Sequence, residues 1–238
     1  MKHFLTFDTE LATIIEDDAN GNWAERGPFD FSVAATSDQD GTTRIWHSIG
    51  ADGGPAPVMS RSTALELLRH LRSEQERGIP IVTWNGLGFD FRWLGVAAGD
   101  VELAAQIALD HFDPMFQFFC QRGFPVGLAK VGEGLGVTQT KTMSGKDAPQ
   151  AWRDGRHAEV IAYVRGDVQI TAAIIRRIAE ERGVRWRTQR GTLSGEPMPQ
   201  LKPVRELIDL PTPDQSWMSE PIPKSKFFEW IPGLAAAH

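Results

Sequence analysis

Apolar and polar positions alternate with a period of two over residues 3 to 9, again over residues 29 to 37, and a third time over residues 42 to 47. This is the period of a half-buried strand. Between the second and third runs, Asp38-Gln39-Asp40-Gly41 predicts a hairpin in which Gly41 takes the positive φ. The period then lengthens. Leu65, Leu68 and Leu71, with the stems of Arg69 and Arg72, recur at helical spacing, predicting a helix over residues 62 to 76 that Gly78 ends. Residues 79 to 84 read as a short buried strand with Pro80 near its start, where a missing N–H costs least, and Gly86 and Gly88 break it. Helices are expected from Asp90, from Val101, over residues 128 to 135 and over residues 157 to 181. The order β, β, β, α, β and then mostly α predicts an α/β architecture, a mixed sheet flanked by helices.

From about Gly191 the texture changes. Eight of the fifteen prolines lie between Pro197 and Pro232, too many for regular helices or central strands. The tail nonetheless carries Leu210, Trp217, Phe227, Phe228 and Trp230, where a free linker would be poor in aromatics. Two parts are expected: a catalytic-type domain over residues 1–190 and a proline-rich extension, residues 191–238, packed on it.

Composition adds bounds. No apolar run approaches the roughly 20 residues of a membrane span, and Met1-Lys2-His3 leads directly into the first strand, so the sequence predicts a cytoplasmic protein with no membrane partner. Cys120 is the only cysteine, which excludes an intramolecular disulfide and a cysteine zinc knuckle. His47, His70 and His111 have no ligand-like spacing. The net charge of −6 argues against a polyanion partner, but its distribution argues back. Residues 1 to 120 hold 8 Lys+Arg against 18 Asp+Glu, whereas residues 121 to 190 hold 13 against 7. Within the second stretch Arg182, Arg185, Arg187 and Arg190 surround Trp186, a pattern open to two readings: a grip on a phosphate backbone with a stacking ring, or a solvated helix end followed by a turn.

Candidate chemistry rests on acids. Asp8 and Glu10 are two apart on the first predicted strand, hence on one face and about 6.6 Å apart along it, a spacing that can share a hard, oxygen-preferring cation. Asn85-Gly86-Leu87-Gly88-Phe89-Asp90 follows a buried strand; its glycines admit close backbone approach, Phe89 can anchor the turn, and Asp90 at a helix start is either a ligand or an N-cap. Tyr163 and Asp167 are four apart on a helix and reach the same volume. Gly166 in a helix interior predicts something packed closely against it.

These three pieces, in this order over roughly residues 1 to 182, resemble the three motifs of the DEDD superfamily of 3′→5′ exonucleases in its tyrosine-bearing branch. Asn85 to Asp90 resembles the second motif of the proofreading domains of family-B DNA polymerases. The stretches Asp113-Pro114-Met115-Phe116 and Gly123 to Leu128 are similar to the region between the second and third motifs in small standalone relatives. The histidine branch would need His five residues before Asp167, where Ala162 stands, and His157 is about 15 Å further back along a helix.

The resemblance implies a ribonuclease H-like mixed five-stranded sheet and two divalent cations, Mg²⁺ or Mn²⁺, held by Asp8, Glu10, Asp90 and Asp167, with Tyr163 orienting or deprotonating the attacking water. It implies hydrolysis of single-stranded nucleic acid from its 3′ end, DNA as first choice and RNA as second, alone or within a replication or repair assembly. Substrate-binding candidates are Thr9, Asn85, Phe89, Lys141, Lys146, Arg185 and Arg187. Two rivals stand beside this reading: a non-catalytic nucleic-acid-binding module on the same fold, and an interaction protein whose proline-rich tail binds a partner.

Overall fold

The computed structural model describes residues 3–15, 27–137 and 143–234. At its centre β1 (Leu5–Leu11) pairs antiparallel with β2 (Phe31–Asp38), which pairs antiparallel with β3 (Thr43–Trp46), while β4 (Ile81–Val82) lies parallel on the other side of β1. The alternation along β1 decides what each face carries. Leu5 and Phe7 join Phe31 in a cluster with α1 (Arg61–Glu76), α2 (Asp90–Ala98) and α3 (Val101–Asp110). On the opposite face Val33 and Ala35 of β2 pack against α6 (Ala148–Arg153) and α7 (His157–Glu181) through Trp152, Val160, Val164 and Val168. Mixed sheet between helical layers is the architecture that the sequence pattern predicts.

Helix α1 links β3 to β4 and starts where the local chemistry dictates, because the Ser60 side chain accepts from the Thr63 N–H. The predicted five-stranded sheet is corrected to four strands, and the predicted strand over residues 79 to 84 shrinks to Ile81–Val82. A fifth position exists only as Phe112, which makes a single parallel bridge to Val82, donating to Ile81 O at 2.9 Å and accepting from Thr83 N–H at 3.1 Å. The reason is the length of chain available. Only His111, Phe112 and Asp113 separate α3 from α4 (Pro114–Arg122), and Asp113 with Pro114 commits the chain to a new helix.

The basic stretch near Trp186 is neither a helix end nor a plain turn. Helix α7 stops at Arg182, whose φ is 54°, and the chain forms a hairpin of β5 (Gly183–Arg187) and β6 (Leu193–Pro197). The hairpin lies on α5 (Leu128–Leu135), and Val184 and Trp186 share a cluster with Val131, Leu135 and Ile174. Beyond it, α8 (Val204–Ile208) and a 3-10 turn (Lys224–Phe227) bring Phe227, Phe228 and Ile231 into the cluster that holds Phe116. The buried Lys224 ammonium donates to the carbonyls of Leu207, Ile208 and Leu210, each at 2.7 Å, and the Trp230 indole donates to Leu87 O at 2.8 Å. Among the described residues no helix is long and apolar enough to cross a membrane.

Two helical glycines give opposite expectations. A Cβ on Gly134 in α5 would lie 2.3 Å from the Arg185 carbonyl oxygen of β5, whereas one on Gly166 in α7 would meet no atom within 4 Å, so the close protein packing expected around Gly166 does not occur. Gly134→Ala should therefore destabilise by about 1–3 kcal/mol through overpacking, while Gly166→Ala should stabilise by roughly 0.5–1 kcal/mol through helix propensity. Urea titration of both variants checks the opposite signs.

Candidate active site

Asp8 and Glu10 occupy the face of β1 that meets α7, and Asp167 projects toward them from the helix. One carboxylate oxygen from each of the three lies within 4.8 Å of the other two, and Glu10 and Asp167 are buried. The placement is set by a backbone contact. The Thr6 hydroxyl, two residues before Asp8 and on the same face, lies 3.0 Å from Val168 O and 3.1 Å from Ser37 O, so it pins the helix beside the strand at the residue after Asp167. Three carboxylates this close repel one another unless protons or a cation intervene. An all-oxygen donor set with two buried members suits a hard divalent ion.

Tyr163 lies one helical turn before Asp167 and is buried. Burial, foremost, and then the charges of Glu10 and Asp167, the hydrogen bond to Asp167 and the charge of Asp8 push the phenol far above its ordinary range. The proton stays on the oxygen at any physiological pH. The cleft over these groups has a volume near 500 Å³, and its lining includes Thr9, Phe89, Gly145, Lys146 and Pro149 beside the acids.

Asp90 belongs to a different environment. It begins α2 and faces the other side of β1, where Thr9 Oγ1 donates to its Oδ1 at 2.5 Å. Its carboxylate lies outside the group of three. Burial pushes it up to about 7, opposed by the Thr9 hydrogen bond. The turn before it is built tightly. Asn85 takes φ 70°, Thr83 Oγ1 accepts from Gly86 N–H at 3.1 Å, and a Cβ on Gly86 would fall 2.3 Å from that oxygen, which is why glycine stands there.

Sequence reasoning assigns no role to Asp113, yet its carboxylate holds this turn in place. It accepts from Asn85 N–H at 3.0 Å and Leu87 N–H at 3.2 Å while also capping α4 through Met115 and Phe116. A local signal exists in Asp-Pro at a helix start; the second use of Asp113, across 28 residues to Asn85, is tertiary and leaves no local trace. Of the substrate-binding candidates, Thr9, Phe89 and Lys146 line the acidic cleft. Asn85 does not, and is spent on the turn. Arg185 pairs with Glu181 at 3.1 Å, and Arg187 approaches Glu133 at 3.5 Å, both on the hairpin away from the cleft. Lys141 lies outside the described residues.

Compared with known proteins, residues 57–179 match a family model described as the RNase H superfamily. The match spans Asp90, Tyr163 and Asp167 and leaves Asp8 and Glu10 outside it. No curated protein matches the chain.

The Asp90 environment makes stability depend on pH. Folded Asp90 keeps its proton up to about pH 7, whereas its ordinary value is 3.8, so the folded state binds the extra proton between those limits. Stability from this group is therefore full at acid pH and declines as pH rises through that window. In EDTA, the urea midpoint of the wild type should fall between pH 5 and 7.5 relative to that of Asp90→Asn. A constant difference between the two across that range would refute the assignment.

Proposed function

Because the chain belongs to the RNase H superfamily, whose members are typically hydrolytic nucleases that use divalent metals, we propose that it is a metal-dependent 3′→5′ exonuclease of the tyrosine-bearing DEDD branch. The observation that carries this reading is the convergence of Asp8, Glu10 and Asp167 with Tyr163 beside them in one cleft. Single-stranded DNA is the first substrate, RNA the second, with hydrolysis proceeding from the 3′ end.

Asp8, Glu10 and Asp167 would hold two divalent cations, Mg²⁺ or Mn²⁺, with Asp90 in support from the other face of β1. When bound, such ions neutralise developing charge on a scissile phosphate and ease ionisation of water. The chain's own groups supply the positioning. Tyr163 keeps its proton because burial and neighbouring carboxylates penalise the phenolate; it acts as a hydrogen-bond donor that orients a water or phosphate oxygen, not as a base. Lys146 brings positive charge to a cleft otherwise dominated by acids, and Phe89 offers an aromatic surface to a terminal base. The Thr9–Asp90 hydrogen bond couples the two faces of β1, so a shift of α2 is felt one residue from Asp8.

Purified protein incubated with 5′-labelled single-stranded DNA or RNA in Mg²⁺ or Mn²⁺ should yield a ladder shortening from the 3′ end, absent in EDTA and in Asp167→Ala. Tyr163→Phe should retain metal binding but lose on the order of 10²-fold in kcat, the scale of a lost positioning group. Metal binding itself is checked by melting. Mg²⁺ at about 100 times its Kd should stabilise the wild type by about 2.7 kcal/mol, and Asp8→Asn should respond weakly. No cleavage of either polymer and no metal-induced rise in Tm would favour the non-catalytic module.

A further inference from the structure

A second cavity lies on the hairpin side of the molecule, about 1020 Å³ in volume, and its character is opposite to that of the acidic cleft. Arg122 at the end of α4, Lys130 in α5, and Arg187 and Arg190 in the hairpin all line it, and among the described residues no carboxylate does. In a chain of net charge −6, such a grouping is not a sample of the average surface. Its partial neutralisation comes from outside the lining: Glu196 is 3.3 Å from Arg122, and Glu133 reaches both Lys130 (3.3 Å) and Arg187 (3.5 Å). These cations are partly exposed, and exposed ion pairs are weak enough for a polyanion to displace.

The floor and wall are aromatic. Trp186, at 6% exposure, is buried edge-on against Phe118 (5.0 Å, 76°) and supports Phe124 (6.2 Å). Phe124 in turn meets Trp217 at 5.7 Å and 87°. Trp217 is 61% exposed, while its indole N–H is tied to Asp214 O at 3.2 Å. A large ring held in place yet left open, beside four cations, is the combination that stacks bases while tracking a phosphate chain. The sequence pattern points to Trp186 as the stacking ring; burial removes it and leaves Trp217.

The groove also adjoins the catalytic side. The Trp84 indole donates to Val126 O in the groove wall at 3.0 Å, and Trp84 leads into the Asn85–Asp90 turn. We propose that this groove is a second nucleic-acid site, which grips the single strand several nucleotides 5′ of the end held in the acidic cleft. The inference rests on the exonuclease reading for the polarity of the strand, and on charge and aromatic geometry for the class of ligand.

The test is binding of 5′-labelled oligothymidylates and oligouridylates of 4, 8 and 16 nucleotides by fluorescence polarisation, in EDTA so that no strand is cut. The wild type should bind the 16-mer at least tenfold more tightly than the 4-mer. Arg122→Gln with Arg190→Gln should remove most of that gain and lower the slope of log affinity against log salt by about 1.4, at about 0.7 for each single-strand phosphate that is no longer neutralised. Trp217→Ala should weaken binding of the 16-mer about tenfold and Trp217→Phe should keep most of the affinity, because stacking needs a ring and not an indole. Melting curves establish that each variant is folded. A length gain and salt slope unchanged in folded variants would overturn the proposal, as would failure of the wild type to bind any strand. Cleavage in Mg²⁺ is scored separately. Cleavage without dependence on the groove leaves the exonuclease reading standing alone, and groove-dependent binding without cleavage leaves the groove standing alone.

Discussion

The contact between β1 and α7 is the constraint on which the rest of the site depends. A strand can present Asp8 and Glu10 on one face by alternation alone, but Asp167 arrives from a helix 25 residues long, and a small rotation about its axis would carry it away. The Thr6 hydroxyl, set between a strand carbonyl and the Val168 carbonyl, removes that freedom at the point where it matters. Val33, Ala35, Val160, Val164 and Val168 then supply the apolar packing that keeps strand and helix together. Burying Thr6 would be costly without these partners. With them, a polar residue in a packed interface becomes a register pin.

The two faces of β1 create two electrostatic environments one residue apart. On the α7 face three carboxylates crowd together, and their joint field helps to keep the Tyr163 proton in place. On the α2 face Asp90 is buried and held by Thr9, and its affinity for a proton rises for want of solvent. A divalent ion would lower the cost of charge on the first face directly and on the second only across the strand. The acids therefore are not interchangeable, although sequence treats them as one set.

How much of this is legible in the sequence follows the range of the forces involved. Period-two and helical patterns locate β1, β2, β3, α1 and α7, because each buries a stripe that repeats within a few residues. The acids and Tyr163 are legible through spacing, and Asp8, Glu10 and Asp167 converge as that spacing implies. The missing fifth strand is not legible, since its loss reflects competition between Phe112 and the Asp113-Pro114 helix start. Nor is the hairpin, whose strands read as a charged helix end until Val184 and Trp186 find α5. Arg185 and Arg187 mislead for the same reason: their partners, Glu181 and Glu133, are chosen by tertiary packing.

The Trp230 hydrogen bond to Leu87 has a temporal side. Leu87 belongs to the turn that presents Asp90, and Phe227 packs over the same turn, with its ring 3.1 Å from where a Cβ on Gly88 would be. A ribosome makes the turn more than a hundred residues before it makes these two aromatics. Until the C-terminal segment has emerged, the nascent polypeptide can collapse its sheet and long helix yet still lack the clasp on this turn. Completion of synthesis and completion of the cleft's surroundings thus become the same event.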